Sequence, residues 1–249
     1  MSINPMSIKP DGIWPPAENP VRVDTVDLTV VEGPHPLYAA HRAEIEANWM
    51  EEAAANPHLF NGDMVLQRHL AFDDGVIRGV AHVIPYSTLL WWRRQPNPQG
   101  ALHLFGFAVL ISSDGAIVAI RMSERTANPG QVYCAAGSLD LSDIVDGKLD
   151  LSGNMRREVR EETGLDLDEA QAEPHCYASH ADNRIVVFRF HRFSLSAAEM
   201  VARIENHMVH DTEQEIDAAI VIRSAARDAH LYNPMMFPIL DMFFGDVRA

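Results

Sequence analysis

The chain of 249 residues is short of positive charge: 20 Lys and Arg stand against 35 Asp and Glu, a formal net charge of −15. An acidic surface repels phosphate backbones, which argues against a role in coating nucleic acid. The same acidity suits a site that must recruit divalent cations. Cysteine is nearly absent. Cys134 and Cys176 stand far apart, so neither a C-x-x-C zinc site nor a disulfide framework is available. Long apolar runs are missing too, and nothing approaches the ~18 residues that would suggest a membrane span. The first residues lack the basic start and apolar stretch of a secretory signal. There is no internal repeat and no low-complexity segment. These absences lead to the expectation of a reduced, cytoplasmic enzyme with no membrane partner. What is present is ordinary for a globular protein, 47% hydrophobic and 22% charged residues, enough for one large domain or two small ones.

Residues 1–20 carry five prolines and read as an irregular arm. From Val21 to Glu32 the chain alternates and is β-branched, the pattern of a half-buried strand. Leu37, His41, Ile45 and Trp49 recur at helical spacing between Pro36 and Ala55, and Asn56-Pro57 stops the run. Met64–Phe72 and Val76–Ile84 flank Asp73-Asp74-Gly75 and predict a hairpin. Residues 96–100 (Pro-Asn-Pro-Gln-Gly) form the best linker, so an N-terminal α+β region, 21–95, is expected ahead of a second unit, 101–249. In that unit, strands are expected over 102–111, 116–122, 184–193 and 216–222. Helices are expected over 151–162, 197–207 and 235–244, the first ending at Gly164 and the last opening at Asn233-Pro234. This mixed order favours α+β over a parallel doubly wound sheet.

The chemistry is concentrated in Arg157-Glu158-Val159-Arg160-Glu161-Glu162-Thr163-Gly164-Leu165. On a helix, Glu161 and Glu162 lie three and four residues beyond Glu158, so the three carboxylates come from neighbouring positions. Arg157 is four residues before Glu161 and can orient it. Crowded carboxylates repel, and divalent cations with a taste for oxygen, Mg²⁺ or Mn²⁺, make the crowding tolerable. A generic E-x-x-E-E run is more often a solvated helix face with ordinary ion pairs.

The flanking residues change that balance. The segment resembles the second half of the Nudix box, R-E-U-x-E-E-x-G-U with U a bulky aliphatic residue, and every specified position is matched: Arg157, Glu158, Val159, Glu161, Glu162, Gly164 and Leu165. The first half departs from the pattern. Gly137 stands where the family has its glycine and Asp143 where it has a glutamate. Thirteen residues separate Asp143 from Arg157 where the family has seven, an insertion of about six residues over Ile144–Leu149. Asp143 on a lengthened loop is therefore in question as a ligand, with Asp140 as a substitute. The resemblance covers roughly residues 102–245. It implies an α/β/α sandwich on a mixed sheet, with Glu158, Glu161, Glu162 and the Gly137 carbonyl holding Mg²⁺ (or Mn²⁺). It also implies hydrolysis of a phosphoanhydride bond, Glu158 sharing metal binding with the work of a general base. A further acidic residue often precedes a late strand in the family; Glu213 and Glu215 are the candidates, against the alternative of a solvated loop.

Substrate is harder to read. Arg121 and Arg125 are candidate phosphate contacts, or plain surface arginines of a loop. Trp91-Trp92-Arg93-Arg94 is either a stacking and phosphate-binding cluster or, more commonly for paired tryptophans, an interdomain core. The long N-terminal region, with His41-Arg42 to Trp49 and Asn56–Gly62, resembles the branch of the family that hydrolyses UDP-sugars. That makes a UDP-sugar the first expectation and ADP-ribose the second, a small nucleotide being the partner and a homodimer an open option. Two rivals remain: a nucleotide-binding module with reduced activity, and a prenyl-diphosphate isomerase, for which Cys134 would have to face the site. His207 and His210 have the spacing of a helical metal pair, though solvent-exposed or core histidines are the commoner reading.

Overall fold

The computed structural model describes residues 19–96, 99–181 and 183–245. The expected arm at residues 1–20 falls outside these apart from its last two residues, as do Asn97 and Pro98 of the expected linker. The chain forms β1 (Val21–Val23), β2 (Thr25–Val30), α1 (Pro36–Ala55), β3 (Asp63–Asp73), β4 (Val76–Pro85) and α2 (Tyr86–Arg93). It continues with β5 (His103–Ile111), β6 (Ile117–Met122), β7 (Val132–Tyr133), β8 (Ile144–Val145), β9 (Lys148–Leu149) and α3 (Leu151–Thr163). The last elements are β10 (Ala170–Ala172), β11 (Cys176–Ala181), β12 (Arg184–Phe193), α4 (Ala197–Met208), β13 (Ile216–Ile222) and α5 (Phe237–Phe244), the last preceded by a 3₁₀ turn, Pro234–Met236.

These make a mixed α+β protein with two mixed sheets. The larger runs β1-β11-β12-β5-β6-β13, with β10 paired to β12 and β7 to β6. Its β12–β5 pair is parallel and its other pairs are antiparallel. The smaller runs β3-β4-β2-β9-β8, parallel between β2 and β4. Helices lie on both faces of the large sheet, which alternation along the strands makes visible. Gly106 of β5 faces α3 so closely that a Cβ there would meet Met155 at 2.9 Å and Leu151 at 3.0 Å. Its neighbours in sequence, Phe105 and Phe107, point the other way, as does Phe190 of β12, whose ring meets Phe243 of α5 at 5.7 Å.

Local chemistry explains the element ends. Pro36 opens α1 behind His35, whose side chain accepts from Leu37 N at 3.1 Å. Asp150 caps α3 by accepting from Gly153 N, and Gly164 ends the helix in the left-handed region at φ 67. The β3–β4 hairpin turns on Asp74 and Gly75, both with positive φ (44 and 75), the geometry of a type I′ turn.

Several features differ from the sequence expectation, among them strands β10 and β11, which it did not include. The run Val21–Glu32 is two strands, because Asp24 N and Thr25 N both bind Gly75 O, and the chain leaves the large sheet there for the small one. The insertion over 144–149 is a second Asp-Gly hairpin, β8–β9, whose Lys148 pairs with Thr29 of β2. It thus extends the small sheet. Helix α2 was not anticipated. It buries Trp92 (1% exposed) with Leu37, Met64, Leu66, Ile84, Leu89 and Ala101, so this tryptophan is core, while Trp91 stacks on His41 at 4.8 Å. Among the described residues, no helix is long and apolar enough to cross a membrane.

Candidate active site

Helix α3 delivers its acidic residues to a cleft of about 510 Å³. Glu158 and Glu162, one turn apart, are buried at 6% and 5% exposure, whereas the Glu161 side chain stands at the rim. The segment Ala136-Gly137, just after β7, lies against them. Ala136 N donates to Glu162 Oε2 at 2.8 Å. A Cβ on Gly137 would sit 2.3 Å from Glu158 Oε1, so only glycine leaves room for that carboxylate.

Arg157 gathers the acidic residues. Nη1 reaches Glu158 Oε1 at 2.8 Å and Glu161 Oε2 at 2.9 Å; Nη2 reaches Asp143 Oδ2 at 3.0 Å and Asp140 Oδ2 at 3.5 Å. One guanidinium is thus shared among four carboxylates. Asp143 is buried, and its Oδ2 also accepts from Asp140 N (2.9 Å) and Asn154 Nδ2 (3.0 Å). Its carboxylate is therefore occupied in tying the glycine loop to α3, and it does not line the cleft; Asp140 does. Asn154, which also approaches Glu158 Oε1 at 3.4 Å, carried no signal in the sequence that marked it.

The electrostatics follow from burial with too few cations. Desolvation pushes Glu158 up to about 8; Arg157 opposes this, and Glu161, Asp143 and Glu215 add to it. Glu162 is raised well above the carboxylate range, first by burial and then by Glu158 and Glu215, with the Ala136 N–H pulling back. Glu213 and Glu215 line the mouth of the cleft, and Glu215 is raised by desolvation, then by Glu213, Asp211 and Glu161. For Arg157, partial burial works downward, but Glu158, Asp143 and Asp140 together raise it.

Other candidates fall in different places. Arg125 lines the cleft; Arg121 does not, and pairs with Asp217 at 2.6 Å on the surface. Cys134 is buried against Met236 Sδ at 3.7 Å and is absent from the cleft lining. His207 meets the Glu161 carbonyl at 2.7 Å and His210 the Asn206 carbonyl at 2.9 Å, so each ring faces its own backbone oxygen. The cleft also takes residues from before position 100: His58, Phe60 and Asp63 from the stretch after α1, with Tyr86 and Arg93 from α2. Tyr133 joins them from β7, its phenol raised by burial and then by Glu162. Only the tertiary fold brings these to the acidic helix.

Among the described residues, no three His, Cys, Asp or Glu side chains already close on one point as a ready-made metal site. The donor set nevertheless fits a hard divalent cation. Glu158, Glu161, Glu162 and Glu215 all line the cleft with oxygen donors, the kind a hard divalent cation takes.

No protein-family model and no curated protein matches the chain. Among solved structures, it is similar to DR0079 from Deinococcus radiodurans, at 14% identity over 72% of this chain and 99% of that one, with a TM-score of 0.46. It is similar to a Nudix hydrolase from Nitrosomonas europaea at 14% identity, over 49% and 72% of the two chains, TM-score 0.31. It is also similar to the MutT protein from Methanosarcina mazei at 14% identity, over 45% and 96%, TM-score 0.28. The similarity to Nudix hydrolases is thus distant and structural. Likenesses this shallow say nothing about activity.

Proposed function

We propose that the chain is a divalent-metal-dependent pyrophosphohydrolase of the Nudix type, acting on a nucleoside diphosphate linked to another group. The observation that carries this reading is the meeting of Gly137 with Glu158 and of Ala136 N with Glu162. Two segments twenty residues apart in the chain, each resembling part of one box, close on each other in a cleft. In this reading, residues 101–249 carry the reaction and residues 21–95 shape the cleft. Glu161 and Glu162 are the principal holders of Mg²⁺ (or Mn²⁺), with Glu158 and the Gly137 carbonyl beside them. Bound divalent ions would neutralise the diphosphate oxygens and lower the pKa of an attacking water. Glu158 takes the water's proton. Arg157 keeps Glu158 and Glu161 in place, and Arg125 is positioned to meet a phosphate.

A UDP-sugar is the first substrate to offer and ADP-ribose the second, on the strength of the N-terminal resemblance. A cleft of this volume accommodates a ligand of nucleotide-sugar size. Isomerase chemistry on a prenyl diphosphate loses its support, because Cys134 faces Met236 and not the cleft. The test is a mass-spectrometric screen with Mg²⁺ over UDP-sugars, ADP-ribose, NADH, dinucleoside polyphosphates and nucleoside triphosphates, beside Glu162→Gln. A nucleoside monophosphate formed by the wild type and not by the variant is the expected result. No product under Mg²⁺ or Mn²⁺ would leave a binding module or a substrate outside this panel.

A further inference from the structure

Asn128, in the loop between β6 and β7, bridges two groups that line the cleft. Arg93 Nη2, at the end of α2, lies 2.8 Å from Asn128 Oδ1, and Asn128 Nδ2 lies 3.3 Å from Tyr133 Oη. Donor chemistry sets the direction of this chain. A guanidinium can only donate, so the Asn128 amide must turn its oxygen to Arg93. Its NH₂ then faces Tyr133, and the phenol oxygen has to accept. The phenol's own proton is left to point elsewhere.

Where it points is constrained. Tyr133 is buried at 6% exposure, and its ring lies nearly parallel to Phe107 with centroids 6.0 Å apart. Among the described residues, no group accepts a hydrogen bond from its hydroxyl. A donor that faces a ligand cleft gives its hydrogen bond to whatever fills the cleft, water in the free chain and an acceptor oxygen of the ligand when one is bound. Tyr133 faces the same cleft as Glu162 and Gly137.

Resting on the phosphoanhydride reading above, we propose that Tyr133 is a further catalytic residue. Its hydroxyl donates a hydrogen bond to a diphosphate oxygen of the substrate, and Asn128 and Arg93 act as positioning residues that aim it. Arg93 belongs to α2, so the segment before residue 95 contributes to the chemistry as well as to the walls of the cleft.

The experiment compares steady-state hydrolysis by wild type, Tyr133→Phe, Asn128→Asp and the double variant. Calorimetric binding of an α,β-methylene nucleoside diphosphate in Mg²⁺ accompanies it. Removing one preorganised donor should lower kcat roughly 10- to 100-fold, with KM changed less than about threefold. Asn128→Asp is nearly isosteric but has no N–H to offer. Its carboxylate still pairs with Arg93 and now accepts the phenol proton, turning it out of the cleft, so this variant should reproduce the loss. The double variant should lose nothing more. A merely structural Asn128 would leave Asn128→Asp close to wild type. Tyr133→Phe within about twofold of wild type, or losses that multiply in the double variant, would overturn the proposal. If wild type neither hydrolyses any nucleoside diphosphate derivative nor binds the methylene analogue, the underlying reading falls, and the proposal falls with it.

Discussion

Replacing Glu158 by glutamine isolates the free-energy cost of burying its carboxylate. In the native chain, its carboxyl is held near 8 against an ordinary 4.5, chiefly by desolvation. The sign follows from proton counting. Between those two values the native state keeps a proton that the unfolded state has lost, so stability falls as pH rises through the window. At about 1.36 kcal/mol per unit, the full shift would remove roughly 3–4 kcal/mol between pH 5 and pH 8. Relaxation around a coupled pair of carboxyls makes about 2–3 kcal/mol the better expectation. Glutamine carries no such slope. Its introduction leaves Arg157 with Asp140, Asp143 and Glu161, so the guanidinium is not stranded. The assay is thermal unfolding in chelator at pH 5 and pH 8. The melting temperature of Glu158→Gln, relative to wild type, should rise between the two by roughly 4–12 °C, taking about 2–4 °C per kcal/mol for a chain of this size. A difference that stays flat, or that falls at pH 8, would refute the reasoning.

Added Mg²⁺ should raise the melting temperature of wild type more at pH 8 than at pH 5, because the ligands must shed protons to bind it, and Glu162→Gln should blunt the gain. Arg157→Ala removes the partner of buried Asp143, which keeps only two neutral donors; a loss of about 2–4 kcal/mol in urea unfolding is expected. Gly137→Ala drives a methyl into the Glu158 carboxylate and should cost roughly 100-fold in turnover through misplacement, with far-ultraviolet circular dichroism unchanged. Trp92→Ala should cost about 3–5 kcal/mol by leaving a cavity in the second core cluster, read from the denaturant midpoint.

The local signals in the chain were dependable where one interaction range decides the outcome. The α1 limits at Pro36 and Ala55, β12 over Arg184–Phe193, β13 over Ile216–Ile222 and the Gly164 cap all follow from periodicity, proline and glycine within a few residues. The cluster Arg157, Glu158, Glu161 and Glu162 was legible for the same reason, since one helix turn sets its spacing. Other features depended on partners distant in sequence. Nothing local reveals that Asp24 leaves one sheet for another, because the hydrogen bonds that turn it come from Gly75. Nothing local shows that Asp143 is occupied by Arg157 and Asn154, that Cys134 faces Met236, or that Arg121 pairs outward with Asp217. The cleft itself belongs to this second group. Arg93, Asn128 and Tyr133 meet across loops and sheets, and alternation or capping rules cannot encode such a meeting, because it is set by how whole elements pack. By itself, the sequence determined most of the longer elements and the acidic helix turn; the tertiary structure decided the short strands and which side chains share the cleft, because long-range packing and burial choose each group's neighbours.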